Sequence, residues 1–166
     1  MSISYTEQTT TIPLIHLEIV RDQNIKYSTV QVQTPTEVAD LFQSIIGKRN
    51  TEVMLVCGVD VKKNPVFLQI VSIGTLDTCQ ISVPEIWKAA MLCNAAEIII
   101  AHNHPSGNHK PSEADIQLTK RLIYAGSILG IPLLDHLIVT EEGFYSFREN
   151  QSELWTCENI DGSKVR

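Results

Sequence analysis

Apolar positions recur along this chain with two different spacings, and the switches between them mark out the elements. Ile12–Val20 and Ile25–Val32 are apolar, β-branched runs separated by Arg-Asp-Gln-Asn, which predicts a β-hairpin behind a Thr/Ser/Gln-rich, disordered start over residues 1–11. Thr34-Pro35-Thr36-Glu37 then opens a helix, with Val38, Leu41, Phe42 and Ile45 at helical spacing and Gly47 placed to end it. Strands are expected over Thr51–Val59 and Val66–Ile73, joined by a turn at Asp60–Pro65. A second helix fits Pro84–Asn94, and the Ile-Ile-Ile strand Glu97–Ala101 runs straight into His102. The ten residues Asn103–Ser112 hold two prolines and a glycine and form a loop.

Ser112–Leu129 carries the strongest helical pattern, with Ile116, Thr119, Leu122, Ile123 and Leu129 on one stripe. Leu133–Thr140 and Phe144–Phe147 follow as strands around a Glu-Glu-Gly turn, and beyond Asn150 the pattern dissolves into a polar tail, residues 151–166, apart from Trp155. With 166 residues, 43% of them hydrophobic, the chain can close one core but not two. One domain is expected, over residues 34–150, with short extensions at either end.

Charge and cysteine usage narrow the function classes. A net charge of −6 repels phosphate backbones, so non-specific nucleic-acid binding is disfavoured, and the basic pairs Lys48–Arg49 and Lys62–Lys63 read as solvated loop ends. Cys57, Cys79, Cys93 and Cys157 form no Cys-x-x-Cys pair and read as reduced thiols of a cytoplasmic protein. The start MSISYTEQTT lacks the pattern of a signal peptide, and no apolar run is long enough to span a membrane.

The candidate chemistry lies around the Ile-Ile-Ile strand. His102 and His104 are one residue apart at its end, and because strand side chains alternate faces, both imidazoles project to the same side. Asp115 falls in the first turn of the following helix, where the loop can fold its carboxylate back over the histidines. Two imidazoles and one carboxylate leave a fourth tetrahedral position for water, the arrangement of a catalytic rather than a structural zinc site. Ser112-x-x-Asp115 ahead of an apolar run is equally a helix cap, and the two roles are compatible, since Ser112 can cap while Asp115 turns inward. A nucleobase-deaminase reading fails because no Pro-Cys-x-x-Cys is present.

His102-Asn103-His104-Pro105-Ser106-Gly107 followed by Pro111-Ser112-Glu113-Ala114-Asp115 resembles the JAMM motif of JAB/MPN metalloenzymes, and most closely its bacterial RadC-like branch. Asn94-Ala95-Ala96, Leu134-Asp135-His136 and Tyr145-Ser146-Phe147 extend the resemblance across roughly residues 34–150. It implies an α/β fold, a mixed, mainly antiparallel sheet flanked by helices in the cytidine-deaminase-like architecture. It also implies that Zn2+ is held by His102, His104 and Asp115, that Ser112 stabilises an oxyanion, and that Glu52 acts as the proton-carrying carboxylate. Glu52 by its local pattern alone is a strand-edge residue. Full-length RadC proteins carry an N-terminal helix-hairpin-helix region where only the short hairpin is expected here, and the sequence has Pro84-Glu85 where the family has Pro-Arg-Glu.

The expected activity is zinc-dependent hydrolysis of a peptide, isopeptide or related amide bond. A DNA-repair or mobile-element role and a non-catalytic interaction module stand as alternatives. Asp135 and His136 are expected in structural strand positions or as a pair supporting the metal ligands, His109 as a loop residue, and His16 without a role.

Overall fold

The computed structural model describes residues 11–27, 32, 34–74 and 82–156. The polar start up to residue 10, residues 28–31 of the second expected hairpin arm, Cys79, Cys157 and the last ten residues of the tail lie outside that set. Among the described residues five strands form one sheet: β1 (Val53–Val59), β2 (Pro65–Ile73), β3 (Glu97–Asn103), β4 (Leu133–Val139) and β5 (Phe144–Ser146). Their order is β2-β1-β3-β4-β5. All neighbours are antiparallel except β3 and β4, which run parallel and are joined by a crossover helix. Helices α1 (Pro35–Ile46), α2 (Val83–Leu92), α3 (Glu113–Leu129) and the short α4 (Phe147–Asn150) flank the sheet.

Period-two alternation divides the core into two layers. Val53, Leu55, Cys57 and Val59 of β1, with Ile99 and Ala101 of β3 and Leu137 and Val139 of β4, face α1 through Val38, Ala39, Phe42 and Ile46. The intervening positions, Met54, Val56, Ile98, Ile100 and Ile138, face α2 and α3 through Ile86, Trp87, Leu118, Leu122 and Ile123. Covered on both sides, β1 is buried at every residue, and each fully buried Leu or Ile stabilises the fold by about 2 kcal/mol relative to exposure. Close packing shows at Gly58, where a Cβ would collide with the Phe67 ring.

Both long helices start where their caps dictate. Thr34 and Glu37 close a capping box at α1, Ser112 and Asp115 close another at α3, and such a cap is worth about 1 kcal/mol. Helix α3 ends at Gly130, whose φ of 68° a residue with a side chain adopts only at a cost.

Three expectations need correction. No strand forms over Ile12–Val20: residues 11–27 carry no regular structure, and Leu14 and Ile12 are almost wholly exposed. An apolar run becomes a strand only when another strand takes up its backbone N–H and C=O groups, and none does so among the described residues. Along α3 the buried face is Asp115, Leu118, Thr119, Leu122, Ile123 and Gly126, and Leu129, the last residue of the helix, is 44% exposed although its spacing from Leu122 keeps it on the same side. The start of the polar tail belongs to the domain: Ser152–Trp155 forms a 3-10 turn, Leu154 is buried, and the Trp155 indole N–H donates to the Leu133 carbonyl at 2.8 Å. Among the described residues no helix is long and apolar enough to cross a membrane. Cys57 and Cys93 are free thiols, and burial pushes Cys57 up to about 12, where it is inert.

Candidate metal centre

The site forms where β3 leaves the sheet. His102 lies on the face that β3 turns toward α3, and His104 follows it on the same side, their Nε2 atoms 3.0 Å apart. Asp115, in the first turn of α3, brings Oδ1 to 3.2 Å from His102 Nε2 and Oδ2 to 3.7 Å from His104 Nε2. One ligand atom from each residue fits within 4.8 Å of the others, so these three side chains could hold a metal ion.

The surrounding hydrogen bonds bear on that fit. His104 Nδ1–H donates to the Asn108 carbonyl at 2.7 Å, which leaves its Nε2 lone pair facing the centre. Asp115 is buried, yet its carboxyl sits well below the usual range. Burial opposes ionisation, but the His102 imidazole and then the Ser112 hydroxyl and amide outweigh it. A carboxylate held ionised in a buried site needs positive charge beside it, and its ion-pair partners are imidazoles that are cationic only when protonated. Two nitrogens and one carboxylate so arranged match the ligand preferences of a borderline-soft divalent ion.

Ser112 both caps α3 and orients the aspartate. Its Oγ accepts from the Asp115 amide at 3.2 Å, while its hydroxyl and its backbone N–H each donate to Asp115 Oδ2 at 2.7 Å. Glu52 lies immediately before β1 rather than within it. Met54 pairs with His102, so two further residues along this antiparallel register Glu52 falls opposite His104. Glu52, His104, Ser112 and Asp115 line one groove of about 640 Å³, together with Lys110 and Asn108, a size suited to a small ligand or a short stretch of chain.

Three residues near the site carry more than the sequence pattern assigned them. Asn103, between the histidines, points to the opposite face and is buried; its Oδ1 accepts from the Val53 amide at 2.8 Å, and its Nδ2 donates to the Arg49 and Thr51 carbonyls, each at 3.1 Å. His136 is more than a structural strand residue: its Nε2 lies 2.9 Å from His102 Nδ1, its Nδ1 lies 2.7 Å from Thr119 Oγ1, and its ring stacks on Phe147 with centroids 4.8 Å apart. Burial, and then the neighbouring His102, hold it well below the ordinary histidine range, so it is neutral. Thr119, read above as part of an apolar stripe, donates its hydroxyl to the Asp115 carbonyl at 2.7 Å. The available signal was polar residues at positions that the periodicity buries, each of which must find a partner. Asp135 faces away from this cluster and accepts from Ser146 Oγ and from the amides of Arg148 and His136.

The chain is 37% identical over 119 residues to a UPF0758 protein of Roseiflexus castenholzii, covering 72% of this chain and 51% of the relative. It is 38% identical over 124 residues to one of Caldanaerobacter subterraneus, covering 70% and 53%. A UPF0758 protein of Actinobacillus pleuropneumoniae is 34% identical over 143 residues, covering 82% and 65%. The chain thus spans about half the length of the first two. The profile described as "RadC-like JAB domain" matches residues 32–152. With its three potential ligands gathered at the end of β3, the chain belongs to the RadC-like JAB domain family.

Proposed function

We propose that the chain is a zinc-dependent hydrolase acting on a peptide, isopeptide or related amide bond. The supporting observation is the convergence of His102, His104 and Asp115, the last two of which line a groove together with Glu52 and Ser112. His102, His104 and Asp115 would hold the ion, and two nitrogens with one oxygen leave a tetrahedral position open. Zinc bound there supplies Lewis acidity toward a carbonyl oxygen and lowers the pKa of water to about 7.

The remaining work falls to the chain's own residues. Glu52, opposite His104 in the register, takes a proton from the attacking water and returns it to the leaving nitrogen. Ser112 offers its hydroxyl to the tetrahedral oxyanion once Asp115 Oδ2 no longer claims its hydrogen. Lys110 and Asn108 at the groove wall contact the substrate flanking the scissile bond.

The test is a screen of peptide- and isopeptide-linked fluorogenic substrates. Turnover should vanish with a chelator, return with added zinc, and fall by about a hundredfold or more in Glu52→Gln, the usual scale for losing a general acid and base, while zinc content stays unchanged. Undiminished turnover in Glu52→Gln, or turnover indifferent to the chelator, refutes the reading.

A further inference from the structure

His102 can serve as a metal ligand through Nε2 only if the ring proton of its neutral form sits on Nδ1. The polar chain behind it has a single consistent direction. It starts at the Asp115 backbone carbonyl, which can only accept. Thr119 Oγ1 lies 2.7 Å from that oxygen, so the hydroxyl hydrogen is spent there, because two oxygens at that distance with no proton between them would repel. Thr119 therefore turns a lone pair toward His136 Nδ1, also at 2.7 Å, and that nitrogen must carry hydrogen.

Fully buried, with a threonine hydroxyl and an imidazole rather than a carboxylate at its ring nitrogens, His136 carries one ring proton, so its Nε2 is bare and aimed at His102 Nδ1 from 2.9 Å. That contact is a hydrogen bond only if His102 Nδ1 holds the proton. His136 cannot turn over to reverse the sequence: it is fully buried, stacked on Phe147 and bonded at both nitrogens. The chain begins and ends on one residue, since the carboxylate of Asp115 is itself a ligand candidate while its carbonyl sets the direction.

We infer that Thr119 and His136 are positioning residues that fix the tautomer of His102, so that its Nε2 lone pair is presented to a metal ion. The inference rests on the assignment of His102, His104 and Asp115 as ligands, and it makes the first helical turn of α3 both a source of ligand and the device that prepares another ligand. Partners that orient a ligating histidine typically change metal affinity by about 10- to 100-fold when removed.

The experiment reads the tautomers directly. Long-range proton–nitrogen correlation spectra of the metal-free, uniformly 15N-labelled protein should show His136 protonated at Nδ1 and bare at Nε2, and His102 protonated at Nδ1. Zn2+ affinity, measured by competition with a chromophoric chelator, should fall by about 10- to 100-fold in His136→Leu. It should recover substantially in His136→Gln, whose carbonyl can accept from His102. Thr119→Val should weaken Zn2+ binding and let the His136 proton distribute over both nitrogens, whereas Thr119→Ser should match wild type. If His136→Leu fails to fold, the Thr119 pair decides alone. His136 found protonated at Nε2, or wild-type Zn2+ affinity in Thr119→Val, overturns the inference. Absence of Zn2+ binding in wild type, with the tautomers as expected, instead overturns the ligand assignment and the proposed function.

Discussion

Asp135 is the ionisable group whose burial has the most readable consequence for stability. Its carboxylate is enclosed between β4, β5 and α4, where burial raises its pKa from 3.8 to about 6; the Ser146 hydroxyl and the Arg148 and His136 amides pull the other way, and Glu149 adds a small repulsion. The folded state therefore binds a proton that the unfolded chain has released. With the folded value above the unfolded one, the contribution is fully present below pH 3.8 and is lost as pH rises through about 6. In full it amounts to about 3 kcal/mol, of which about 2 kcal/mol falls between roughly pH 4.5 and 7.5. Asp135→Asn keeps an acceptor for the two amides and removes the titration. Its stability relative to wild type should thus improve by about 2 kcal/mol across that interval, whatever constant offset the amide brings. Urea denaturation of the metal-free proteins at several pH values checks this, because Asp115 and the other histidines titrate in both and cancel. A difference that stays flat within about 0.5 kcal/mol, the usual tolerance of such comparisons, would refute the reasoning.

Other outcomes follow from the same geometry. His104→Ala and Asp115→Ala should each lose the bound metal and keep their far-ultraviolet circular dichroism, because the core is built by sheet and helices; elemental analysis showing equal metal in wild type and variants would reject the ligand set. Gly126→Ala, though it favours the helix by about 1 kcal/mol, should be net destabilising by about 1–2 kcal/mol. The added Cβ would lie 2.8 Å from the Ile131 carbonyl and 3.2 Å from the Trp87 ring, and thermal unfolding measures the result. DNA binding should be weak and fall steeply with salt, given the net charge of −6 and the ion pairs that Lys48 and Lys63 make with Glu141 and Glu97. Tight binding at physiological salt would favour the DNA-directed alternative.

Where local chemistry settles a conformation, the sequence was a good guide. The Thr34 and Ser112 caps, the β-branched strand ahead of His102 and the alternation that puts His102 and His104 on one side were all legible, and the trio that could hold a metal ion followed from them. What could not be read depends on partners remote in the chain. Whether Ile12–Val20 pairs is decided by contacts with a partner strand elsewhere in the chain, not by its own β-branched residues. The pairing of Met54 with His102, which sets Glu52 opposite His104, is a property of two strands some fifty residues apart. His136 was visible beside Asp135, but its link to His102 needs the parallel register of β3 and β4, and Thr119 looked apolar because its stripe was.

Asn103 gives the site an uneven folding history. The three ligand candidates come from a single stretch, residues 102 to 115, so gathering them closes only a short loop. Glu52 arrives at the start of the neighbouring strand β1, some fifty residues back in the chain, where the Asn103 side-chain amide grips the backbone at Arg49, Thr51 and Val53. Loosening that grip, as Asn103→Ala would, frees the end of β1 while leaving both imidazoles on their strand. On the proposed function, such a chain would still hold a metal ion while the Glu52 carboxylate is misplaced, so that metal loading and turnover would come apart.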